Sequence, residues 1–581
     1  MNLLLLTALA LSVPSTASVQ PAAAASQKGG GVEAARKEIA AGRYDRALDR
    51  LRPLAEAGNG EAMVLLGDLH REGNGVAKDL GESLRLYRKA MESGYVPAYA
   101  FVGLAHELGE GVDADAAEAN KYYREGADKG DPTAQQYLAT NLYNGTGAAV
   151  DYAEAVAWAR RASEGGATGA THLLGLAYDT GRGVAEDDSE ALRLFRACAA
   201  ARNPWCERSV GIMYFGGRGV KADRAEALRW FRRAAENGDP EAFSDVGDAY
   251  RLGQGVAADP AMAASWYRRG AEKGDGRSMT ELGHLYWEGI GVEKDHGEAM
   301  AWYRKGEALD DATAIVAIGF LYQQGHGVAA DPVKAIEYFR RVADRGDGEG
   351  MWRLGDAYRS GNGIEKDPAQ AVSWFKRAAE GGHVASMNDL GYAYETGTGV
   401  TRDYAMALAW YRKAADSGDL IAATNLGLMY EEGRGVGADP KEALRLYTEA
   451  AEGGNARAQY LIGLMHLEGD LGRKDAKKGF QWVKRGADNG EIEAITDLGV
   501  LYETGKGVAA NQAEAVRLYR KAAEQGDARA MRYLGVNYSQ GLGVAANRAE
   551  AERWLRKAVE AGDEEASALL QDLLGGSAST S

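Results

Sequence analysis

Apolar and small residues recur along this chain in two alternating patterns, and both follow the 3.6-residue rhythm of a helix. One reads Ala-x-x-x-Leu-Gly-x-x-Tyr, as in Ala242 to Tyr250, where Val246 takes the leucine place. The other reads Ala-Leu/Val-x-Trp/Leu-Tyr/Phe followed by Arg/Lys pairs, as in Ala227-Leu228-Arg229-Trp230-Phe231. Each gathers its apolar positions into one stripe, so each predicts an amphipathic helix. We label the first kind A and the second B. A Gly-x-Gly-Val loop joins each A to the following B, clearest at Gly181-Arg182-Gly183-Val184 and Gly217-Arg218-Gly219-Val220. Its first glycine returns every 36 residues from Gly73 to Gly541, fourteen times without a slip. A fixed period of this size predicts stacked units that each touch only their neighbours.

The helix boundaries follow from the same register, with the first loop glycine counted as position 1. Position 7 is Asp or Asn in all fourteen units, from Asp79 to Asn547. Such side chains accept an otherwise unpaired N–H at a helix start. Proline follows at Pro260, Pro332, Pro368 and Pro440, where its missing N–H costs nothing. Glu stands three residues after the cap in nine units, including Glu82, Glu118, Glu226 and Glu442, the pattern of a reciprocal capping box. Glycine at position 22 (Gly94, Gly130, Gly238, Gly274, Gly346) closes helix B in the left-handed conformation. A further glycine lies inside helix A in thirteen of fourteen units, at a cost of about 1 kcal/mol relative to alanine. That cost predicts a close approach by a neighbouring helix. Three units depart from the pattern: Leu471 replaces the second loop glycine, and Arg202 and Asp310 replace the closing glycine of helix B.

These signals predict an all-α fold, a right-handed α/α superhelical solenoid of the tetratricopeptide type. The expected divisions are a signal peptide over 1–25, a flexible linker over 26–33, N-terminal capping helices over 34–60, an array of about fourteen repeats over 61–562, a C-terminal capping helix over 563–574 and a disordered tail over 575–581.

Units such as Ala242-…-Val246-Gly247-Asp248-Ala249-Tyr250-…-Gly253-Gln254-Gly255-Val256-…-Asp259-Pro260-…-Trp266-Tyr267-Arg268-Arg269-…-Ala271-Glu272-Lys273-Gly274-Asp275 resemble the Sel1-like repeat, over roughly residues 40–565. The resemblance implies a scaffold for protein complexes, of the kind found in signalling, endoplasmic-reticulum quality control and the bacterial envelope. It brings no catalytic residue and no cofactor.

Charge narrows the partners. The net charge of −16 and the absence of a Lys/Arg cluster disfavour nucleic acid and anionic membrane. Beyond the N-terminus no apolar run approaches the roughly 20 residues that span a bilayer. Leu3 to Val13 is an apolar segment followed by Pro14 and small residues through Ala25, which resembles a secretory signal peptide with cuts after Ala17 or Ala25. No Lys or Arg precedes it, the first being Lys28, and no cysteine lies near either cut, so it is not a lipoprotein signal. The two cysteines, Cys198 and Cys206, occupy small-residue columns at positions 18 and 26, which face each other across a tight turn. A Cα separation of about 5–6 Å there suits a disulfide, and the spacing resembles that of cysteine-rich secreted Sel1-like proteins. Two buried free thiols are the alternative. A disulfide belongs to an exported compartment.

The sequence offers little chemistry. His70, His106 and His466 stand in the tyrosine column of helix A and read as core or interface residues. The Gly-x-Gly loops follow helices and lack the lysine of a phosphate-binding loop. Ser373-Trp374-Phe375-Lys376 fits the Ser-x-x-Lys of penicillin-interacting enzymes, without the companion Ser-Asp-Asn or Lys-Thr-Gly. Asn144 and Asn537 open glycosylation acceptor triplets. In solenoids of this type the A helices line a concave groove, and positions 28, 29, 32 and 35 should face it. Those columns include Asp245, Asp248, Arg251, Glu281, His284, Trp352, Arg353, Asp356, Arg359, Asn388, Asp389 and Asn425. Such a surface can hydrogen-bond an extended peptide, with Trp352 as apolar anchor. Charge reversal at Asp245, Asp248 and Asp356 is then expected to weaken partner capture and leave the fold intact. The reading is a non-enzymatic scaffold for proteins or peptides, periplasmic or secreted and bacterial. The alternatives are an adaptor of the endoplasmic-reticulum lumen and an envelope penicillin-binding or β-lactamase-like enzyme.

Overall fold

A computed structural model describes residues 30–470 and 472–575. The 1–25 segment, residues 26–29, Leu471 and residues 576–581 lie outside the described residues. Thirty-one α-helices, α1 (Gly30–Ala40) to α31 (Glu564–Gly575), follow one another, with no strand among the described residues. Sequential helices pack as neighbours from α1 to α15 in the first unit and from α17 to α31 in the second, giving the expected solenoid of helix pairs. Two compact units can be separated, one ending at Gly306 and one beginning at Glu307.

The first helix begins at Gly30, so residues 30–33 are not the linker that the sequence suggested. Val32 and Ala35 bury themselves against Leu48 and Leu51 of α2 (Tyr44–Glu56), and that burial outweighs the two glycines of the first turn. At the other end α31 includes Gly575, one residue beyond the expected helix.

The caps form as the register requires. Asp79 Oδ1 accepts the Glu82 N–H at 2.8 Å and Asp115 Oδ1 the Glu118 N–H at 2.9 Å. The reciprocal half of the capping box does not form at these caps. The N–H of Asp79 is already bonded to the His70 carbonyl at 2.9 Å, and that of Asp115 to His106 at 2.8 Å. The glutamates turn outward instead, Glu82 to Arg85 at 2.5 Å and Glu118 to Lys121 at 2.6 Å.

The glycine inside helix A is explained by an aromatic ring. A Cβ on Gly247 would stand 2.4 Å from the Tyr267 ring, and in the second unit one on Gly427 would stand 2.4 Å from the Tyr447 ring. These tyrosines, at position 15 of the repeat on helix B, are fully buried, and the hydroxyl donates to a carboxylate on the preceding A helix. Tyr267 reaches Asp248 at 2.6 Å, and Tyr447 reaches Glu431 at 2.7 Å. An arginine one residue on bonds the tyrosine hydroxyl near the end of helix A: Arg196 to Tyr214 at 2.6 Å and Arg520 to Tyr538 at 2.7 Å. At His106 the arginine partner is Arg88, 3.2 Å away, which confirms that histidine as an interface residue.

The second loop glycine serves the contact between repeats. Gly255 has φ +76°, and a Cβ there would lie 2.3 Å from the Arg224 carbonyl oxygen, at the start of the preceding B helix. The loop therefore both joins A to B and seats one repeat on the last.

Arg202 and Asp310 keep the left-handed geometry of the glycines they replace, at φ 59° and 62°. An L-residue there costs about 1–2 kcal/mol. Arg202→Gly, less the entropy a glycine loses on folding, should raise stability by about 1 kcal/mol, measured by guanidinium denaturation; an unchanged or lower midpoint would count against strain at this turn. The same turn carries the disulfide. Cys198 on α10 (Asp188–Ala200) and Cys206 on α11 (Pro204–Gly216) are bonded with Cα atoms 5.8 Å apart. Both are buried, and neither is free.

Candidate functional site

The A helices form the more closely spaced layer. In the first unit α3 (Gly60–Glu72) lies against α5 (Ala98–Leu108), α5 against α7 (Pro132–Asn144), α7 against α9 (Thr168–Thr180), and α13 (Glu241–Leu252) against α15 (Gly276–Glu288). In the second α29 (Ala528–Gln540) lies against α31. Among the described residues no two successive B helices approach as extensively.

A ladder of side chains runs along this layer. Position 28 of one A helix reaches position 29 of the next, 37 residues on. The rungs are His172–Ser209 at 3.0 Å and Arg208–Asp245 at 2.6 Å in the first unit. In the second they are Trp352–Asp389 at 2.7 Å, Asn388–Asn425 at 3.1 Å and Tyr460–Asp497 at 2.7 Å. A second set runs backward from position 25. Arg277 bonds Asp245 at 3.3 Å and also Asp248, and Arg529 bonds Asp497 at 2.8 Å.

All twelve sequence-predicted groove residues take part in such pairing or in contacts on their own helix. Asp248 accepts from Arg251 at 3.1 Å as well as from Tyr267. Glu281 lies 3.9 Å from His284, whose ring packs edge-on to Tyr303. Arg353 bonds Glu349 at 2.8 Å and covers the Trp352 ring at 4.6 Å. Arg359 joins Asp356 and, at 3.4 Å, Asp389. The structure thus gathers five of the twelve in the first unit and seven in the second. Asp245 and Asp248 are largely covered, with side-chain exposures of 14% and 16%. Reversing their charge would place a cation against Arg208 or Arg277, so the expected indifference of the fold does not hold. Sequence reasoning missed Arg208, Glu241, Arg277 and Tyr267; for Arg208 the signal was there in the 37-residue offset between columns 28 and 29, while Glu241 and Arg277 stand at position 25 and Tyr267 at position 15.

Around Arg208 the electrostatics are concentrated. Its guanidinium, 15% exposed, also bonds Glu241. Asp239 lies beside it, buried, with Oδ1 capping the Glu241 N–H and Oδ2 unbonded. Burial, with Glu241 and Asp245 nearby, pushes the Asp239 carboxyl up to about 7 against the pull of Arg208. His172, on the other side of the ladder, is pushed down to about 4 by burial and then by Arg208. A histidine held neutral stabilises the fold fully above the unfolded value near 6.5 and loses that contribution as pH falls toward 4. Asp239 acts oppositely: its raised carboxyl costs stability at pH 7 and relieves that cost as pH falls toward 4. His172→Gln should therefore gain on the wild type by about 3 kcal/mol between pH 7 and 4, read from denaturation midpoints at both pH values. A constant difference across that window would contradict the buried neutral imidazole.

The remaining motifs are placed as follows. Ser373 and Lys376 are exposed on helix B Pro368–Glu380, and the Lys376 ammonium faces Glu380 at 3.9 Å. Asn537 is 1% exposed with both side-chain polar atoms unbonded, so the folded repeat does not present it as a glycosylation acceptor. Asn144 is half-buried. Among the described residues no cluster of His, Cys, Asp and Glu is arranged to hold a metal ion, and no helix is long and apolar enough to cross a membrane.

The Sel1 repeat model matches fourteen consecutive segments, from 60–95 to 528–563, with only short gaps between some of them. The chain belongs to the Sel1 repeat family. Sel1 repeat proteins are generally non-enzymatic scaffolds for protein interactions. Among solved structures the chain is similar to a protective antigen present in uropathogenic Escherichia coli strains, 31% identical, covering 78% of this chain and 97% of that one with a TM-score of 0.44. A Sel1 repeat protein from Oxalobacter formigenes is also 31% identical and covers 42% and 96%, with a TM-score of 0.38. A search of the curated proteins returns no match.

Proposed function

We propose that this Sel1 repeat protein is an exported scaffold that holds protein partners along its A-helix face, in the bacterial periplasm or outside the cell. One observation carries the reading. The columns that repeat are spent on the fold, as caps, turn glycines and buried tyrosines, while the columns that vary share the A-helix face. Pairing along that face orders its side chains before any partner arrives, which lowers the entropy lost on binding. The Cys198–Cys206 disulfide supports an oxidising compartment, as does the signal-like N-terminus.

The test places a photo-crosslinking amino acid at Tyr392 or Ile421 on the A face and at Ser373 or Lys376 on the B face. Partner adducts should come from the A face alone; equal adducts from both faces, or none from the A face, would refute the groove. Export is tested on the mature protein, whose first residue should follow Ala17 or Ala25. An intact Met1 would refute it.

A further inference from the structure

The second unit carries a feature on its A face that the first lacks. Position 32 there holds Tyr392, Leu428, Leu464, Val500 and Val536 in five successive repeats. The same column in the first unit mixes Asp68, Thr140, Asp248 and His284 with apolar residues. Tyr392 is 52% exposed and the other four are half-buried. Ile421 stands at position 25, which in the first unit is the place from which Arg277 reaches Asp248 at position 32 of the repeat before. The same 29-residue offset relates Ile421 to Tyr392 in the repeat register, and Ile421 is 58% exposed. Two of the large apolar side chains most open among the described residues thus fall at one end of this stripe.

Charge is distributed unevenly beside it. The C-terminal ends of the A helices form one edge, where the helix dipole is negative. At two junctions a basic loop residue answers the acid at position 35 of the preceding repeat. Arg218 meets Asp179 at 2.7 Å, and Arg434 meets Glu395 and Glu432. One repeat later the corresponding loop residue is Asp470, facing Glu431. Burial, followed by the charges of Asp470, Glu432 and Glu468, raises the Glu431 carboxyl. Among the described residues no cation pairs with Glu431, Glu468 or Asp470, and this edge of the stripe carries their negative charge.

We propose that this stripe docks an extended peptide segment of a partner protein, with apolar side chains against Tyr392, Ile421, Leu428 and Leu464 and with lysine or arginine against Glu431, Glu468 and Asp470. This deepens the scaffold reading above and rests on it. With neighbouring helices about 10 Å apart, five repeats span about 40 Å, which an extended chain of about 12 residues covers. An apolar anchor flanked by complementary charge is the arrangement that gives both affinity and orientation.

The experiment uses the full chain and a fluorescein-labelled twelve-residue peptide alternating leucine and lysine, read by anisotropy, beside a leucine–glutamate counterpart. The leucine–lysine peptide should bind at least tenfold more tightly. Leu428→Glu with Leu464→Glu should weaken it at least tenfold, as should Tyr392→Ser with Ile421→Ser, whose exposed positions leave the fold unburdened. Glu431→Gln, Glu468→Gln and Asp470→Asn together should weaken it at least fivefold. Glu380→Gln with Glu449→Gln on the B helices should change nothing. Equal binding of the two peptides, equal loss from the B-helix control, or no binding of either peptide would overturn the proposal. So would a dimer, seen by sedimentation, that the stripe substitutions dissolve, since the occupant would then be a second copy. If crosslinks from Ile421 persist while these results fail, the scaffold reading stands and only the peptide chemistry falls.

Discussion

Arg208→Met should destabilise the first unit by about 3–5 kcal/mol, because it strands buried carboxylates rather than because it removes one contact. Glu241 and Asp245 bond the guanidinium directly, and Asp239 lies within its field with one oxygen unbonded. Methionine keeps most of the packing volume, so the loss reports charge. The combination Arg208→Met, Glu241→Gln, Asp245→Asn should recover most of the loss, since the two carboxylates bonded to the cation are gone. Hydrogen exchange localises the effect to α11 and α13 in a protein whose repeats can open separately. A loss below about 1 kcal/mol, the range of an exposed ion pair, would show that this network is solvated.

Gly255→Ala is expected to cost about 3 kcal/mol, made up of the left-handed penalty for an L-residue and the displacement of backbone from backbone. The new methyl would sit 2.3 Å from the Arg224 carbonyl oxygen, and no side chain can rotate out of its way. Gly253, two residues earlier in the same loop, supplies the control. It has φ +67°, but its nearest neighbour would be the Ala258 nitrogen at 3.3 Å. Gly253→Ala should cost only about 1–2 kcal/mol. Equal losses would mean that conformation alone, and not the seat between repeats, explains the second glycine.

Much of this was legible in the sequence because each signal is local. A cap, a left-handed glycine and an apolar stripe are written within a few residues of where they act. The glycine inside helix A was legible only as a demand for close approach; that Tyr267 or Tyr447 fills the space needed the fold. The capping box was half misread, because Asp79 spends its N–H on His70. The groove columns were placed on one face, yet their pairing was missed, since Arg208 and Asp245 are neighbours only once repeats stack. Asn537 opens an acceptor triplet, although its column is occupied elsewhere by buried alanine, leucine and methionine and by one other buried asparagine, Asn141. That column comparison was available from one sequence and is the cheaper lesson.

The seat of each loop on the preceding B helix has a further consequence. The rungs along the A face span 37 residues, and the tyrosine hydroxyls reach back 16 or 19. No interaction of this kind waits for a distant part of the chain. Contact order therefore stays low however many repeats are added. A chain delivered N-terminus first can complete each repeat on the one already folded, vectorially, like courses of brick laid on a finished wall. Its length then becomes a quantity that duplication or loss of 36-residue modules can adjust without redesigning any joint.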